Sequence, residues 1–512
     1  MPADLIFTNA NVITLDPRQP AAGLVAIKGD KIWLVGDNKE LESARGAKTK
    51  VIDCQGKTVL PGFDDAHCHI FSFVRKLLGI DVSPSSVSSI VDIKAAIRHR
   101  AENTASGGWI TGTGYNEFYL AEKCHPNRWD IDEMAPQHPV VLTHRSLHAC
   151  VLNSMALSLA GITRETPDPE GGIIDRDLDT GEPNGLLFEM VGYIREKVLP
   201  PLAEGELAKG IASVNQHYLS CGITSLQEAT VTNGFSQWQT FHQFKDKLKS
   251  RVYMMFGIDA LSQFKEAGLA MGSGDSNLRL GGVKIMLNET TGQLQPPQSE
   301  LNRQALDVHQ AGFQLIMHAV EPSTVEAAIN ALEYVRGHYH EVDRRHRIEH
   351  CSVCPPPLLE RLSNLQSVIV TQPPFIYYSG ERYLATVPES QLPWLYRIKY
   401  FFDSGLVVAG SSDSPVVPEN PLVGICAAVT RQAESGQQLL PHEGVSVERA
   451  LAMYTINAAY ASFEEDIKGS ITPGKLADIV LLSDDLTQLP PKKIKDISVE
   501  VTIIGGEVAW EA

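Results

Sequence analysis

The sequence has few cysteines, no long apolar run and no excess of basic residues. Eight cysteines are spread over 512 residues, which is too few for the disulfide framework of a small secreted domain. The formal net charge of −17 argues against nucleic acid and anionic membranes as partners, because both need a basic surface. No segment approaches the roughly 20 apolar residues of a membrane-spanning helix. Small molecules remain as the expected partners.

The first residues, MPADLIFTNANVITLD, alternate as a β-strand does and lack the basic start and apolar stretch of a signal peptide. We therefore expect a cytoplasmic protein. Its length exceeds that of one ordinary core and predicts one large domain with a smaller one.

The middle of the chain alternates short apolar strands with helix-like segments, a pattern typical of parallel βαβ units. Eight candidate strands predict an α/β fold of the (β/α)₈ TIM-barrel type. These strands are 59–69, 221–228, 251–257, 281–287, 312–318, 346–350, 366–371 and 405–413.

The spacing of these strands also predicts the domains. A long first gap indicates a large insertion, 70–205, after the first strand, and we expect it to cover the mouth of a barrel formed by 61–468. The β-rich ends, 1–60 and 469–512, predict a small β-sandwich domain built from both termini.

The stretch PGFDDAHCHI at 61–70 places two histidines at alternate positions of a strand, where side chains share one face. In a barrel the chemistry lies where the strands end, and the other strands also end in polar residues. Together these residues predict a divalent metal site, and nitrogen and oxygen ligands suit zinc first. The set is His67, His69, Lys284, His318, His350 and Asp413.

Each of these residues also has a simpler interpretation. The histidines could be packed or turn residues, and Asp413 could cap the following helix. Lys284 could pair with Glu289, or its pKa could fall on burial so that it takes up CO₂ and becomes an N6-carboxylated bridge between two metals. The convergence of all six on one barrel mouth favours the metal site, with one or two ions per chain.

Three further residues are candidates for contacts with the substrate. His148 follows an apolar strand of the insertion and is predicted to act in catalysis or bind the oxyanion, as Tyr115 in a Gly-rich loop could do. Glu289 follows the Lys284 strand and could contact the substrate. Aromatic residues in the insertion suggest a pocket for an aromatic amide, and each candidate could instead serve packing.

These residues and several further motifs resemble the amidohydrolase superfamily, and within it the YtcJ-type group (amidohydrolase family 3) that includes the N-substituted formamide deformylases. The resemblance covers nearly the whole chain. It implies that the six residues form the metal set, and it makes a homo-oligomer plausible. Its motifs are PGFDDAHCH, NSMAL (153–157), GITS (222–225), VK (283–284), HRIEHC (346–351), GSSDSPV (410–416), MYTINAAYA (453–461) and SITPGKLADIVLL.

The expected function is metal-dependent hydrolysis of a carbon–nitrogen bond other than a peptide bond, with a formamide-like substrate and Asp413 as general acid and base. A cyclic-amide hydrolase or a deaminase on the same scaffold is the alternative; deaminases typically use one metal, so a bridging lysine weighs against them. A non-catalytic regulatory protein is the alternative outside enzymes, and a missing ligand would have supported it.

Overall fold

The computed structural model describes residues 2–339 and 344–512. It divides into two compact units. The first contains residues up to 69 together with 215–287 and 298–512, and the second contains 70–214 and 288–297. In the described part of the chain, no helix is both long enough and apolar enough to cross a membrane.

The first unit is built around an eight-stranded parallel sheet in which each strand pairs with the next one along the chain. Its edges meet through backbone hydrogen bonds: Asp413 N–H donates to His67 O at 2.9 Å and His69 N–H to Ser414 O at 2.8 Å. The sheet is a nearly closed barrel, which confirms the predicted barrel class. The strands are Phe63–Cys68, Ile223–Glu228, Arg251–Gly257, Leu278–Met286, Leu315–Ala319, Arg347–His350, Val368–Thr371 and Val408–Gly410.

Helices follow the strands of this unit. Four of them begin with proline (Pro322, Pro356, Pro374 and Pro421), whose fixed φ and missing N–H suit the first turn. The α-helices are Leu41–Ala44, Phe235–Phe244, Leu261–Glu266, Gln298–Gln310, Pro322–His338, Pro356–Leu365, Pro374–Thr386, Ile398–Asp403, Pro421–Thr430, Val447–Met453 and Ile456–Ala461, and Glu204–Ser220 contains the boundary between the units. Short 3₁₀ turns are Asn38–Glu40, Ile258–Ala260, Leu392–Trp394, Pro441–Glu443 and Pro491–Asp496.

The predicted first strand, 59–69, is wrong in extent because it is two strands in two different sheets. Thr58–Pro61 pairs with Asn11–Ile13 and Ile479–Leu482, whereas Phe63–Cys68 belongs to the barrel. Partners change at Gly62, whose N–H donates to Asp478 O at 2.9 Å. A Cβ at this position would come within 2.2 Å of the Thr224 hydroxyl, so the crossing between sheets requires glycine.

The first unit has two further sheets, one built from N-terminal strands alone and one from strands of both chain ends. Apolar residues from both sheets form one hydrophobic cluster that includes Phe7, Val59 and Ile503. A separate sandwich domain stays a prediction. One sheet contains Leu5–Thr8, Leu24–Lys28, Lys31–Gly36 and Lys50–Asp53; the other contains Asn11–Ile13, Ala21–Ala22, Thr58–Pro61, Ile479–Leu482, Val499–Ile504 and Glu507–Glu511.

The second unit has its own six-stranded mixed sheet, with apolar clusters that include Ile110, Leu142 and Ile194. The position of the predicted insertion over the barrel mouth stays a prediction. Its strands are Ile80–Asp81, Ile110–Tyr115, Val140–His144, Ala149–Leu152, Ile173–Arg176 and Pro183–Phe188; its helices are Ile70–Leu78, Ile90–Glu102, Arg128–Asp132, Ser154–Leu159 and Val191–Tyr193, with a π-helical turn Ile194–Val198.

Candidate metal centre

The six residues of the predicted metal set lie at or just beyond the carboxyl ends of barrel strands. His67 lies in the first strand and His69 follows it directly, while Lys284 and His318 lie in the fourth and fifth strands. His350 is the last residue of the sixth strand, and Asp413 lies three residues beyond the eighth. All except His69 are buried, and the His69 side chain is only 16% exposed.

Short distances connect the imidazoles with the carboxylate. One ligand atom from each of His67, His350 and Asp413 lies within 4.8 Å of the other two. His69 Nε2 is 3.0 Å from Asp413 Oδ1, and the ring centroids of His318 and His350 are 4.4 Å apart. The structure therefore brings all four histidines and the aspartate to one place, where they could bind a cation.

Neighbouring side chains hold three of the imidazoles through their Nδ1 atoms. His67 Nδ1 contacts the Glu349 carboxylate, His69 Nδ1 lies 2.9 Å from Thr230 Oγ1, and His350 Nδ1 lies 2.7 Å from Gln372 Oε1. Engagement of Nδ1 fixes the ring and leaves Nε2 to act as a metal ligand. This arrangement fits a bound divalent ion.

Burial favours the neutral form of His67 and His350, the form that metal ligation requires. Burial, followed by the nearby charge of Lys284, lowers the pKa of His67 well below its usual value. Burial likewise lowers the pKa of His350 to about 4, although the Asp413 charge opposes this. For Asp413, burial would raise the pKa, but the hydrogen bond to His69 holds it below its usual range, so the carboxylate is ionised at neutral pH.

Lys284 is a buried amine whose hydrogen-bonding capacity is unused. It is 1% exposed, and its Nζ makes no hydrogen bond to any residue the structure describes. Burial lowers its pKa to about 8, against the opposing charges of Glu349 and Asp413. An orphaned buried nitrogen beside a metal-binding set fits a role completed by a group that the polypeptide does not supply.

Comparison with known proteins agrees with this geometry. The amidohydrolase family model matches residues 50–509. The chain belongs to the amidohydrolase family. It is 28% identical to an N-substituted formamide deformylase of Arthrobacter pascens, over 99% of this chain and 98% of that protein. It is 26% identical to the putative amidohydrolase YtcJ of Bacillus subtilis, over 93% of each chain.

Among solved structures, an uncharacterised metal-dependent hydrolase from Pyrococcus furiosus is similar to this amidohydrolase, with 25% identity and a TM-score of 0.73. The match covers 96% of this chain and 100% of that one. The resemblance seen in the sequence motifs is thereby confirmed, and this protein is a metal-dependent hydrolase acting on carbon–nitrogen bonds.

Sequence reasoning missed the carboxylate behind His67. Glu349 is fully buried, and its Oε1 accepts a hydrogen bond from Arg347 Nε at 2.9 Å. The same guanidinium donates to Gln227 Oε1 at 2.6 Å and to Ala66 O at 2.8 Å. The available signal was the pair of opposite charges, Arg347 and Glu349, at alternate positions of the strand HRIEH. Burying such a pair is costly unless other interactions compensate for the lost hydration.

The three predicted substrate residues lie in the second unit of this amidohydrolase. The Glu189 carboxylate oxygens are 3.0 and 3.1 Å from His148 Nδ1, and Glu289 lies at the start of the short segment 288–297. Tyr115 is fully buried, with its hydroxyl 3.1 Å from His125 Nδ1. Substrate binding by His148 and Glu289 stays a prediction, and the packing of Tyr115 favours a structural role.

Proposed function

We propose that this amidohydrolase cleaves the carbon–nitrogen bond of a small formamide-like amide at a zinc-binding centre formed by its six barrel-end residues. The observation that carries the proposal is the convergence of four histidines and an ionised aspartate beside a buried lysine. The similarity to an N-substituted formamide deformylase over 99% of the chain supports the choice of substrate class.

The residues of the chain have distinct roles in this proposal. The four histidines and Asp413 hold one or two divalent ions, with rings oriented by Glu349, Thr230 and Gln372. A bound divalent ion lowers the pKa of a water molecule and polarises a carbonyl oxygen. Asp413, ionised at neutral pH, accepts a proton from the attacking water and returns it to the leaving amine nitrogen.

Lys284 is proposed to carry a carboxyl group. The neutral amine adds to CO₂ so that an N–C bond forms and the amine releases one proton, which gives an anionic carbamate with two oxygen donors. Support comes from its complete burial and from the absence of any hydrogen bond from Nζ to a described residue. A carbamate could bind two metal ions, whereas a free ammonium would repel them.

For the substrate, we propose His148 as an oxyanion donor and Glu289 as a binding residue, on the sequence pattern. The contact between Glu189 and His148 Nδ1 supports this role, because it fixes the orientation of the ring. The aromatic residues of the insertion favour amides with an aromatic substituent.

The test combines metal analysis with a substrate panel. Metal per chain is measured by elemental mass spectrometry for the purified wild type, for Lys284→Ala and for the control Lys265→Ala. N-substituted formamides, cyclic amides and aminopurines are then assayed for hydrolysis. We expect about two metals per chain, a loss of metal only in Lys284→Ala, and turnover of formamides.

Other results would contradict the proposal. One metal per chain, unchanged in Lys284→Ala, with deamination of aminopurines, would replace it with the deaminase alternative. Two metals per chain with turnover of cyclic amides alone would support the metal centre but contradict the formamide-like substrate class. No bound metal after reconstitution would contradict the metal centre itself.

A further inference from the structure

A small cavity lies within the second unit and contains none of the six metal-site residues. Its volume is about 30 Å³. One face of two neighbouring strands forms its floor, because Thr111 and Thr113 occupy alternate positions of Ile110–Tyr115 and Thr143 pairs with Thr113 in the parallel register. Three threonine side chains therefore line this face of the cavity.

The threonine hydroxyl groups have no hydrogen-bond partner among the residues that the structure describes. None of the Thr111, Thr113 and Thr143 Oγ1 atoms makes a hydrogen bond to another residue in 2–339 or 344–512. Each can donate one hydrogen bond and accept others. Three hydroxyls on one wall of a cavity are thus available to a bound molecule.

Two arginines also line the cavity. Arg75 lies one turn after Ser72 on the helix Ile70–Leu78, and Arg195 Nη1 donates to Ser72 Oγ at 2.9 Å. No aspartate or glutamate lines the cavity. Among the described residues, no carboxylate lies within 4.0 Å of the Arg75 guanidinium, although burial lowers the pKa of that group.

Partial burial of the Arg75 guanidinium costs desolvation free energy, and no carboxylate in the described part of the chain compensates for it. Guanidinium groups bind carboxylates and phosphates through paired N–H donors, and the threonine hydroxyls can donate to the same oxygens. We propose that this cavity is a binding site for a small oxyanion, held by Arg75 and Arg195 against the threonine floor.

The volume limits the size of the ligand. One water needs about 10–15 Å³ of such space, so a cavity of about 30 Å³ accommodates a few heavy atoms. Formate and inorganic phosphate share the required chemistry and differ in size. The proposal is independent of the reaction catalysed at the metal centre, because none of its residues belongs to that centre.

The test uses the full-length protein with its metals and measures the dissociation constants of [¹³C]formate and of phosphate by NMR line broadening. Arg75→Gln and the exposed control Arg164→Gln are compared at constant ionic strength. We expect saturable binding of at least one anion to the wild type and to Arg164→Gln, weakened at least tenfold in Arg75→Gln. His350→Ala, which removes a metal ligand, should keep the affinity within twofold, which separates this cavity from the metal centre.

Thermal unfolding without added anions provides a second readout. A structural arginine would lower the unfolding midpoint when replaced, whereas a ligand-binding arginine without a partner should leave it unchanged or raise it in Arg75→Gln. Three results would overturn the proposal. They are the absence of saturable binding of either anion, an equal affinity of Arg75→Gln and wild type, and a loss of binding in His350→Ala alone.

Discussion

Replacing Glu349 by glutamine should weaken metal binding at the barrel mouth. Glu349 accepts a hydrogen bond from His67 Nδ1, which fixes the tautomer whose Nε2 is free to bind a cation. A glutamine at this position must also satisfy the Arg347 guanidinium, now 2.9 Å from Glu349 Oε1. If the amide oxygen faces Arg347, the amide NH₂ faces His67, and the ring then needs the opposite tautomer.

The size of the effect follows from burial. Replacing a residue that orients a metal ligand typically costs about 10–100-fold in metal affinity. Both members of the Arg347–Glu349 pair are 0% exposed, and removing one partner of a buried pair costs about 3–5 kcal/mol of stability. Glu349→Gln should therefore lose metal affinity and some stability together, the latter reduced because the amide oxygen can still accept from Arg347.

A double variant separates the two effects. Arg347→Met combined with Glu349→Met removes the unpaired charge and should recover stability, but the metal affinity should stay low, because a methionine at position 349 cannot accept the hydrogen bond from His67 Nδ1. Glu443→Gln is the matched control, since Glu443 is also fully buried and faces Arg397; it should lose stability and keep metal affinity.

Metal affinity is measured by competition with a chelator, and stability by urea unfolding of the metal-free protein. Wild-type affinity in Glu349→Gln would refute the orienting role. Full recovery of affinity in the double variant would show that the single variant acts only through stability.

Two further predictions concern the fold. Gly62→Ala should destabilise the protein by about 1–3 kcal/mol through overpacking, because its Cβ would meet the Thr224 side chain; the control Gly205→Ala, with open space around it, should be neutral or stabilising in urea unfolding, and equal effects would contradict the reasoning. For Glu117, burial raises the pKa but the His144 contact at 2.9 Å outweighs it and lowers the value to about 2. Its contribution to stability is therefore present above about pH 4.5 and is lost as the pH falls towards 2, so Glu117→Gln should flatten the fall in unfolding free energy over that window, and a parallel pH profile would refute the assignment.

The barrel and the convergence of the six candidate residues at its strand ends could be predicted because the signals are local. Strands buried on both faces read as short apolar runs such as LIM before His318, and the chemistry of a barrel lies at strand ends. The break at Gly62 was hidden because Thr58–Pro61 and Phe63–Cys68 are separated by a single residue. The two strands differ in the strands with which they pair. Pairing with a distant segment, such as the one that contains Asp478, cannot be inferred from the neighbouring residues.

The contacts that orient the ligands were hidden for the same reason. Glu349 is next to His350 in the chain, yet it contacts His67, which is 282 positions away. The Thr230 and Gln372 contacts likewise join different barrel strands. A sequence pattern can name residues that suit a metal, but the tautomer of each imidazole depends on neighbours that only the fold supplies.

The backbone at His350 shows why strand periodicity alone fails at the site. Strict alternation places His350 and Glu349 on opposite faces of their strand, yet both reach His67, since His350 belongs to the ligand cluster and Glu349 contacts the His67 ring. His350 has a φ of 70° and Asp413 a φ of 58°, in the left-handed region that non-glycine residues occupy at a cost of about 1–3 kcal/mol. The left-handed turn at the strand end lets two consecutive residues reach one site. His350 belongs to the cluster itself, and Glu349 orients the His67 ring. That strain is retained where the chain would otherwise turn His350 away from the cluster, and its presence at two of the six candidate residues supports a functional centre there.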